Sequence, residues 1–143
     1  MEHAIPRSRL LGIDLTHRRI VAAVRPGRPE PRVSFTSIRD VARTIASVAS
    51  RRPSALPDVV RVAGDSLTLR ELGEYYSGLV GAPVPVTLRD VAAFSTPPLC
   101  DSSGHHQLAA GSGFLDYSVE NMNEWINDGR WQWRSVQHLL TGI

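Results

Sequence analysis

The sequence contains no lysine, and all sixteen of its basic residues are arginine. Chemistry that depends on a lysine side chain is therefore excluded within these 143 residues, which removes both a P-loop and Schiff-base catalysis. Cysteine is almost absent as well, because Cys100 stands alone. A single cysteine cannot form an internal disulfide, and it cannot by itself hold a structural zinc ion.

Long hydrophobic runs are also missing. No apolar run approaches the roughly 20 residues that a membrane-spanning helix needs, and the first residues lack the apolar core of a signal peptide. With 42% hydrophobic and 21% charged residues, the composition is that of an ordinary soluble domain. We expect one domain over residues 1–143, no association with a membrane, and a cytoplasmic localisation.

Charge is divided unevenly along the chain. Residues 1–52 hold eleven arginines against four acids, a net charge of +7, whereas residues 53–143 hold five arginines against ten acids, a net charge of −5. The two halves should attract each other. A basic segment can mark a nucleic-acid surface, but the arginines here surround a proline-rich turn without interleaved aromatic residues, so no nucleic-acid partner is expected.

The first elements are predicted from residue type and period. Residues 19–24 and 32–36 indicate two short strands, and the intervening PGRPEP predicts a hairpin or a loose β-excursion. Ser37 is a candidate N-cap for the helix that follows, and Arg51-Arg52-Pro53 ends it. One apolar stripe of this amphipathic helix is formed by Ile38, Val41, Ala42, Ile45, Val48 and Ala49.

The middle of the chain continues this alternation. Residues 59–63 are a nearly continuous β-branched run, which is typical of a buried parallel strand, and Gly64 closes it. Thr68 and Glu71 have the spacing of a capping box at the start of a second helix, for which Gly81 is the expected stop. Residues 83–88 predict an edge strand, because prolines cannot donate to a ladder.

The last third of the chain is less regular. Residues 90–113 show no clean period, residues 114–134 are rich in Asn, Gly and Trp, and residues 135–140 predict a final short helix. A βαβ-like middle followed by an irregular tail favours an α/β or α+β fold.

The string Gly64-Asp65-Ser66-Leu67 has the letters of GDSL-type esterases and stands between a predicted strand and a predicted helix. Catalysis by Ser66 would need a histidine to take the serine proton, with an acid three residues before that histidine. The C-terminal part of the chain, where this pair is expected, lacks it: Asp101 stands four residues before His105, and Ser135, not an acid, stands three residues before His138. A structural turn from strand to helix is the favoured interpretation, and a serine esterase is a remote alternative.

Two further groups of residues are candidate ligand sites. Cys100, Asp101, His105 and His106 lie within seven positions but match no metal-site spacing, so a solvated serine-rich loop is favoured and no metal is expected. The only G-x-G, Gly111-Ser112-Gly113, has aspartate where the third glycine of a dinucleotide-binding loop should be. The cradle for a dinucleotide cofactor is therefore absent from the chain.

Three blocks of the sequence resemble the NmrA-like family of atypical short-chain dehydrogenases, especially its isoflavone-reductase-like and aromatic-alcohol-reductase-like members. They are VSFTSIRDVARTIASV at 33–48, VVRVAGDSLTLRELGEYYSGLVGAPVPV at 59–86, and NDGRWQWRSVQHLL at 127–140. The blocks occur in the family's order, and the region from residue 33 to residue 140 over which they are spread is about three quarters of the chain. The match lies in degenerate patterns and includes no catalytic signature.

The resemblance implies the α/β fold class, as the C-terminal part of a Rossmann-like NAD(P)-binding fold whose dinucleotide-binding half, with its glycine-rich loop and catalytic lysine, is missing. Complete members use NADP(H) to reduce small aromatic or carbonyl substrates, and no cofactor is expected on this chain alone. No catalytic or cofactor-binding residue can be transferred to it. The residues expected to shape the substrate pocket are Phe35, Phe94, His105 and Tyr117.

Two main hypotheses follow from the resemblance. In the first, the chain is the substrate-side portion of an NAD(P)-dependent reductase, from a truncated gene model or a degenerate paralogue, and it is inactive alone. In the second, it is a non-catalytic redox-sensing regulator or protein-binding module that recruits a protein partner through exposed apolar surface.

Overall fold

The computed structural model describes residues 12–94 and 102–141. This part of the chain forms five strands and five helices, together with short 3-10 turns at Pro53–Ala55 and Val91–Phe94. The strands are β1 (Ile13–Asp14), β2 (Arg19–Val24), β3 (Arg32–Phe35), β4 (Asp65–Thr68) and β5 (Val86–Asp90). The helices are α1 (Ile38–Ala49), α2 (Leu69–Val80), α3 (Ser102–Gly111), α4 (Asn123–Asn127) and α5 (Val136–Thr141).

The strands form two separate sheets. The first has the order β1-β2-β5, with β1 and β2 antiparallel and β2 and β5 parallel, from Ile20 opposite Val86 to Val24 opposite Asp90. The second pairs β3 and β4 antiparallel, from Arg32 opposite Thr68 to Phe35 opposite Asp65. The prediction that β2 and β3 form a hairpin is wrong, because each strand pairs in a different sheet. The edge position of β5 is confirmed, and the strand begins only after Pro85.

The core lies between the two sheets and helices α2 and α5. Its fully buried members come from β1, the turn that follows it, β2, α2 and α5, and they are Ile13, Leu15, Ile20, Leu72 and Val136. Helix α2 approaches the first sheet closely at Gly73, where a Cβ would lie 2.7 Å from Val86 Cγ2. The arrangement confirms an α/β class with a mixed sheet.

Helix α2 begins and ends as its sequence predicts. Thr68 Oγ1 accepts a hydrogen bond from Glu71 N at 3.1 Å, and Glu71 Oε2 accepts one from Thr68 N at 2.8 Å, which completes the capping box. Gly81 ends the helix in the left-handed conformation at φ 64°. The capping group of α1 is confirmed in the same way, since Ser37 Oγ accepts from Asp40 N.

Helix α1 is amphipathic as predicted, but its polar side is the buried one. Its apolar stripe points to solvent, with Ile38 76% and Ile45 63% exposed, while its buried residues are Asp40, Thr44 and Ser47. Asp40 and Ser47 can face inward because the C-terminal segment supplies their hydrogen-bond partners, such as Ile126 O for Ser47 Oγ at 2.8 Å.

The predicted buried strand at 59–63 is irregular in the structure, and Val59 is 57% exposed. Side chains, in place of a neighbouring strand, form hydrogen bonds with the backbone of Val62 and Ala63. Asn123 accepts from Ala63 N and donates to Ala63 O, while Thr36 Oγ1 donates to Val62 O at 3.2 Å. The strand of this region is β4, which begins only after Gly64.

Helix α3 is not apparent from the sequence pattern, and the prediction of a serine-rich loop around His105 and His106 is wrong. Both histidines are exposed on α3, whereas Cys100 and Asp101 lie outside the described residues. The buried side of α3 consists of small or polar residues, which carry no hydrophobic period. They are Gly104, Gln107, Ala110 and Gly111. Helix α4 is not predicted either, because its five residues are too few to show a helical period.

No helix in the described ranges 12–94 and 102–141 combines the length and the apolar character that crossing a bilayer requires.

The turn between β1 and β2 provides a pH-dependent prediction. The hydrogen bond from the His17 side chain, assisted by the charge of Arg19, holds the pKa of Asp14 below its usual value of 3.8. The carboxylate therefore adds stability above that value, and this contribution is lost as the pH falls through the lowered folded-state pKa. In an NMR titration we expect His17→Ala to raise the pKa of Asp14. His138→Ala, whose ring contacts Ser135, should leave it unchanged.

Candidate functional site

Ser66 lies on strand β4 and not in a strand-to-helix turn. The antiparallel register places it opposite Ser34, and the two Oγ atoms are 2.7 Å apart. Ser34 Oγ also accepts a hydrogen bond from Tyr117 N at 2.8 Å, which joins the tail after α3 to the second sheet. The hydroxyl of Ser66 thus faces another hydroxyl, where a nucleophilic serine would need a general base.

The histidines have other partners. His138 Nδ1 lies 2.8 Å from Ser135 Oγ, and His17 Nδ1 lies 2.9 Å from Asp14 Oδ2. Asp65, the neighbour of Ser66, accepts hydrogen bonds from the backbone of Ser66 and Val136. The geometry supplies a structural role for this aspartate, and the esterase alternative stays a prediction.

The four expected pocket residues lie in two places, with two residues at strand β3 and two at helix α3. Phe35 is on β3, 9% exposed, and Tyr117 is in the tail segment bonded to the same strand. Phe94 ends the 3-10 turn that packs against α3, and His105 is exposed on α3. Their assignment to a substrate pocket stays a prediction.

Two aspartates fix the C-terminal segment. The fully buried Asp40 accepts a hydrogen bond from Arg134 N at 2.9 Å through Oδ2, and its Oδ1 lies 3.3 Å from Arg43. Asp65 Oδ2 accepts from Val136 N at 3.0 Å at the start of α5. Nothing in the sequence near Asp40 indicates this partner, which lies 94 positions away.

An open groove of about 660 Å³ lies beside α2. It is rich in charge, because Arg32 forms an ion pair with Glu71 at 3.2 Å and donates to Ser66 O. A second groove, of about 420 Å³, is lined by amides, acids and one indole, from Asn123, Glu124, Asn127, Asp128, Gly129 and Trp133. Neither lining includes the four residues expected to shape the pocket.

The two candidate ligand sites of the sequence, the possible metal ligands and the G-x-G string, are placed as follows. Within 12–94 and 102–141, no three His, Cys, Asp or Glu residues are grouped so that they could hold a metal ion. Gly111 of the G-x-G string packs on β2, where a Cβ would lie 2.8 Å from Ala23 Cβ. This glycine serves helix-to-sheet packing, and its surroundings do not fit a pyrophosphate cradle.

Comparison with solved structures shows that a known protein shares the α/β fold of this chain. The structural match is an NADPH-dependent quinone oxidoreductase of a new type from Escherichia coli, with a TM-score of 0.66 and 18% sequence identity. The match covers 99% of this chain and 51% of the oxidoreductase, so the chain spans about half of that protein's length. No protein-family model matches the sequence, and no curated protein matches it.

Proposed function

We propose that this chain is the substrate-side portion of an NmrA-like, NAD(P)H-dependent oxidoreductase, and that it does not catalyse turnover by itself. The observation that carries the proposal is the fold match, which takes in nearly the whole chain and half of an NADPH-dependent enzyme. The sequence resemblance over residues 33–48, 59–86 and 127–140 independently supports the same class.

In the proposed arrangement, the cofactor and the substrate are bound by different parts of a complete enzyme. NADPH, bound by the other half of a complete enzyme, supplies a hydride for a quinone or another small carbonyl or aromatic compound. This chain contributes apolar and polar side chains around the substrate, for which we propose Phe35, Phe94, His105 and Tyr117. Hydrogen bonds from the tail to β3 would hold Tyr117 in place, as the bond from its amide to Ser34 does.

Titration of the purified chain with NADPH tests the proposal. We expect no saturable change in nicotinamide fluorescence, because the chain lacks a glycine-rich loop and lysine. The Escherichia coli quinone oxidoreductase, titrated in the same buffer, is the positive control. A micromolar dissociation constant for this chain would overturn the proposal, since it would require a cofactor site within the chain itself.

A further inference from the structure

The outward side of helix α1 is an apolar surface rimmed by arginine. We call it the α1 face and define it by Ile38, Val41, Ile45, Arg39 and Arg43. The three apolar side chains are 76%, 38% and 63% exposed, in that order. The only acid of the helix, Asp40, is fully buried and pairs with Arg43 at 3.3 Å, so the charge that the α1 face offers to a partner is mainly that of the exposed Arg39. A helix that presents its apolar side to water in this way is typical of an interaction surface.

A surface of complementary character lies on helix α2. We call it the α2 groove, and it is the open groove of about 660 Å³ described above. Its exposed apolar residue is Tyr75, and Leu79 follows one helical turn later; each is 45% exposed. Three acids and one arginine line it, so its net charge is −2; they are Asp65, Glu71, Glu74 and Arg32. Arg32 pairs with Glu71, whereas Glu74 forms no ion pair with any residue that the structure describes.

Charge decides which occupant fits the α1 face. If two copies paired through their α1 faces about a two-fold axis, arginine would face arginine with no exposed acid on either helix. If the α1 face of one copy lies in the α2 groove of another, Arg39 meets acids and Ile45 meets the apolar surface of Tyr75 and Leu79. The second arrangement satisfies both the apolar and the charged parts of each surface.

We propose that a second copy of this chain places its α1 face in the α2 groove, in a head-to-tail contact. The proposal rests on the two surfaces and is independent of the proposed function. Because the two contacting patches differ, each copy keeps one free α1 face and one free α2 groove. Association should therefore continue beyond a dimer as the protein concentration rises, and high salt should weaken it.

Two blocking variants test the contact in the full 143-residue chain by analytical ultracentrifugation. Ile45→Asp disables the α1 face, and Glu74→Arg disables the α2 groove; both positions are exposed, so the fold should tolerate the changes. We expect each variant alone to associate at least about tenfold more weakly than the unmodified chain. Val119→Asp, at a residue that is 91% exposed and belongs to neither surface, is the matched control and should associate normally.

Mixing the two variants gives the decisive result. Each retains one intact surface of the complementary kind, so an equimolar mixture should form a dimer that grows no further. Unfolded variants could not do this, which separates loss of contact from loss of fold. An unmodified chain that stays monomeric at high concentration overturns the proposal, and so does a mixture that remains monomeric. Pairing of α1 faces with each other would instead leave Glu74→Arg alone associating as strongly as the unmodified chain while Ile45→Asp stays monomeric, and that result also overturns the proposal.

Discussion

Replacing Asp40 by alanine lowers the free energy of unfolding by about 3 kcal/mol, because a fully buried acceptor is removed from its donors. Arg134 N, bonded to Asp40 Oδ2 at 2.9 Å, loses its partner, and so does the guanidinium of Arg43. The bond also connects α1 to the segment that leads into α5. We therefore expect the loss to include part of the packing of the C-terminal segment.

Urea unfolding of Asp40→Ala, Asp40→Asn and Asp58→Ala separates these contributions. The asparagine variant keeps an oxygen that can accept from Arg134 N but loses the charge, so it should fall between the alanine variant and the unmodified chain. Asp58 is exposed, and its substitution should change stability by less than about 0.5 kcal/mol. Equal stability of Asp40→Ala and Asp58→Ala would show that the buried carboxylate does not hold the C-terminal segment.

The second large effect is expected at Gly64. A Cβ at this position would lie 2.7 Å from Arg134 O and 3.1 Å from Phe35 O, and both are backbone atoms that cannot rotate away. The Gly64 amide also donates to Phe35 O at 2.9 Å, which fixes the distance between the segments. Gly64→Ala should therefore lower the free energy of unfolding by about 3 kcal/mol, at the upper end of overpacking costs.

Gly78→Ala is the matched control, since a Cβ there meets no atom within 4 Å and the residue lies inside helix α2. It should stabilise the protein by about 0.5 to 1 kcal/mol through helix propensity. Opposite signs for the two substitutions, measured by the same urea unfolding, are the expected result. A neutral Gly64→Ala would mean that the C-terminal segment does not pack against Gly64. The glycine of the GDSL letters is thus explained by a close backbone approach.

Interactions within a few residues are predictable from the sequence. The capping box of Thr68 and Glu71, the serine cap of α1 and the left-handed stop at Gly81 each involve neighbours in the chain, and all three are confirmed. Strand β2 and the final helix are predictable for the same reason, because their patterns are local. Composition alone also excludes whole classes of chemistry, since the chain has neither a lysine nor a glycine-rich loop.

Only the tertiary structure decided which way these elements face and what they pair with. The stripe of α1 could have packed inward, but Arg134 N and Ile126 O bind Asp40 and Ser47 and hold the polar side inward. Residues 59–63 have strand-forming side chains, yet Asn123 takes the backbone positions of a neighbouring strand. These partners lie 60 to 94 positions away along the chain. Local periodicity records which residues share a face, whereas the hydrogen bonds available in the assembled fold determine whether that face is buried.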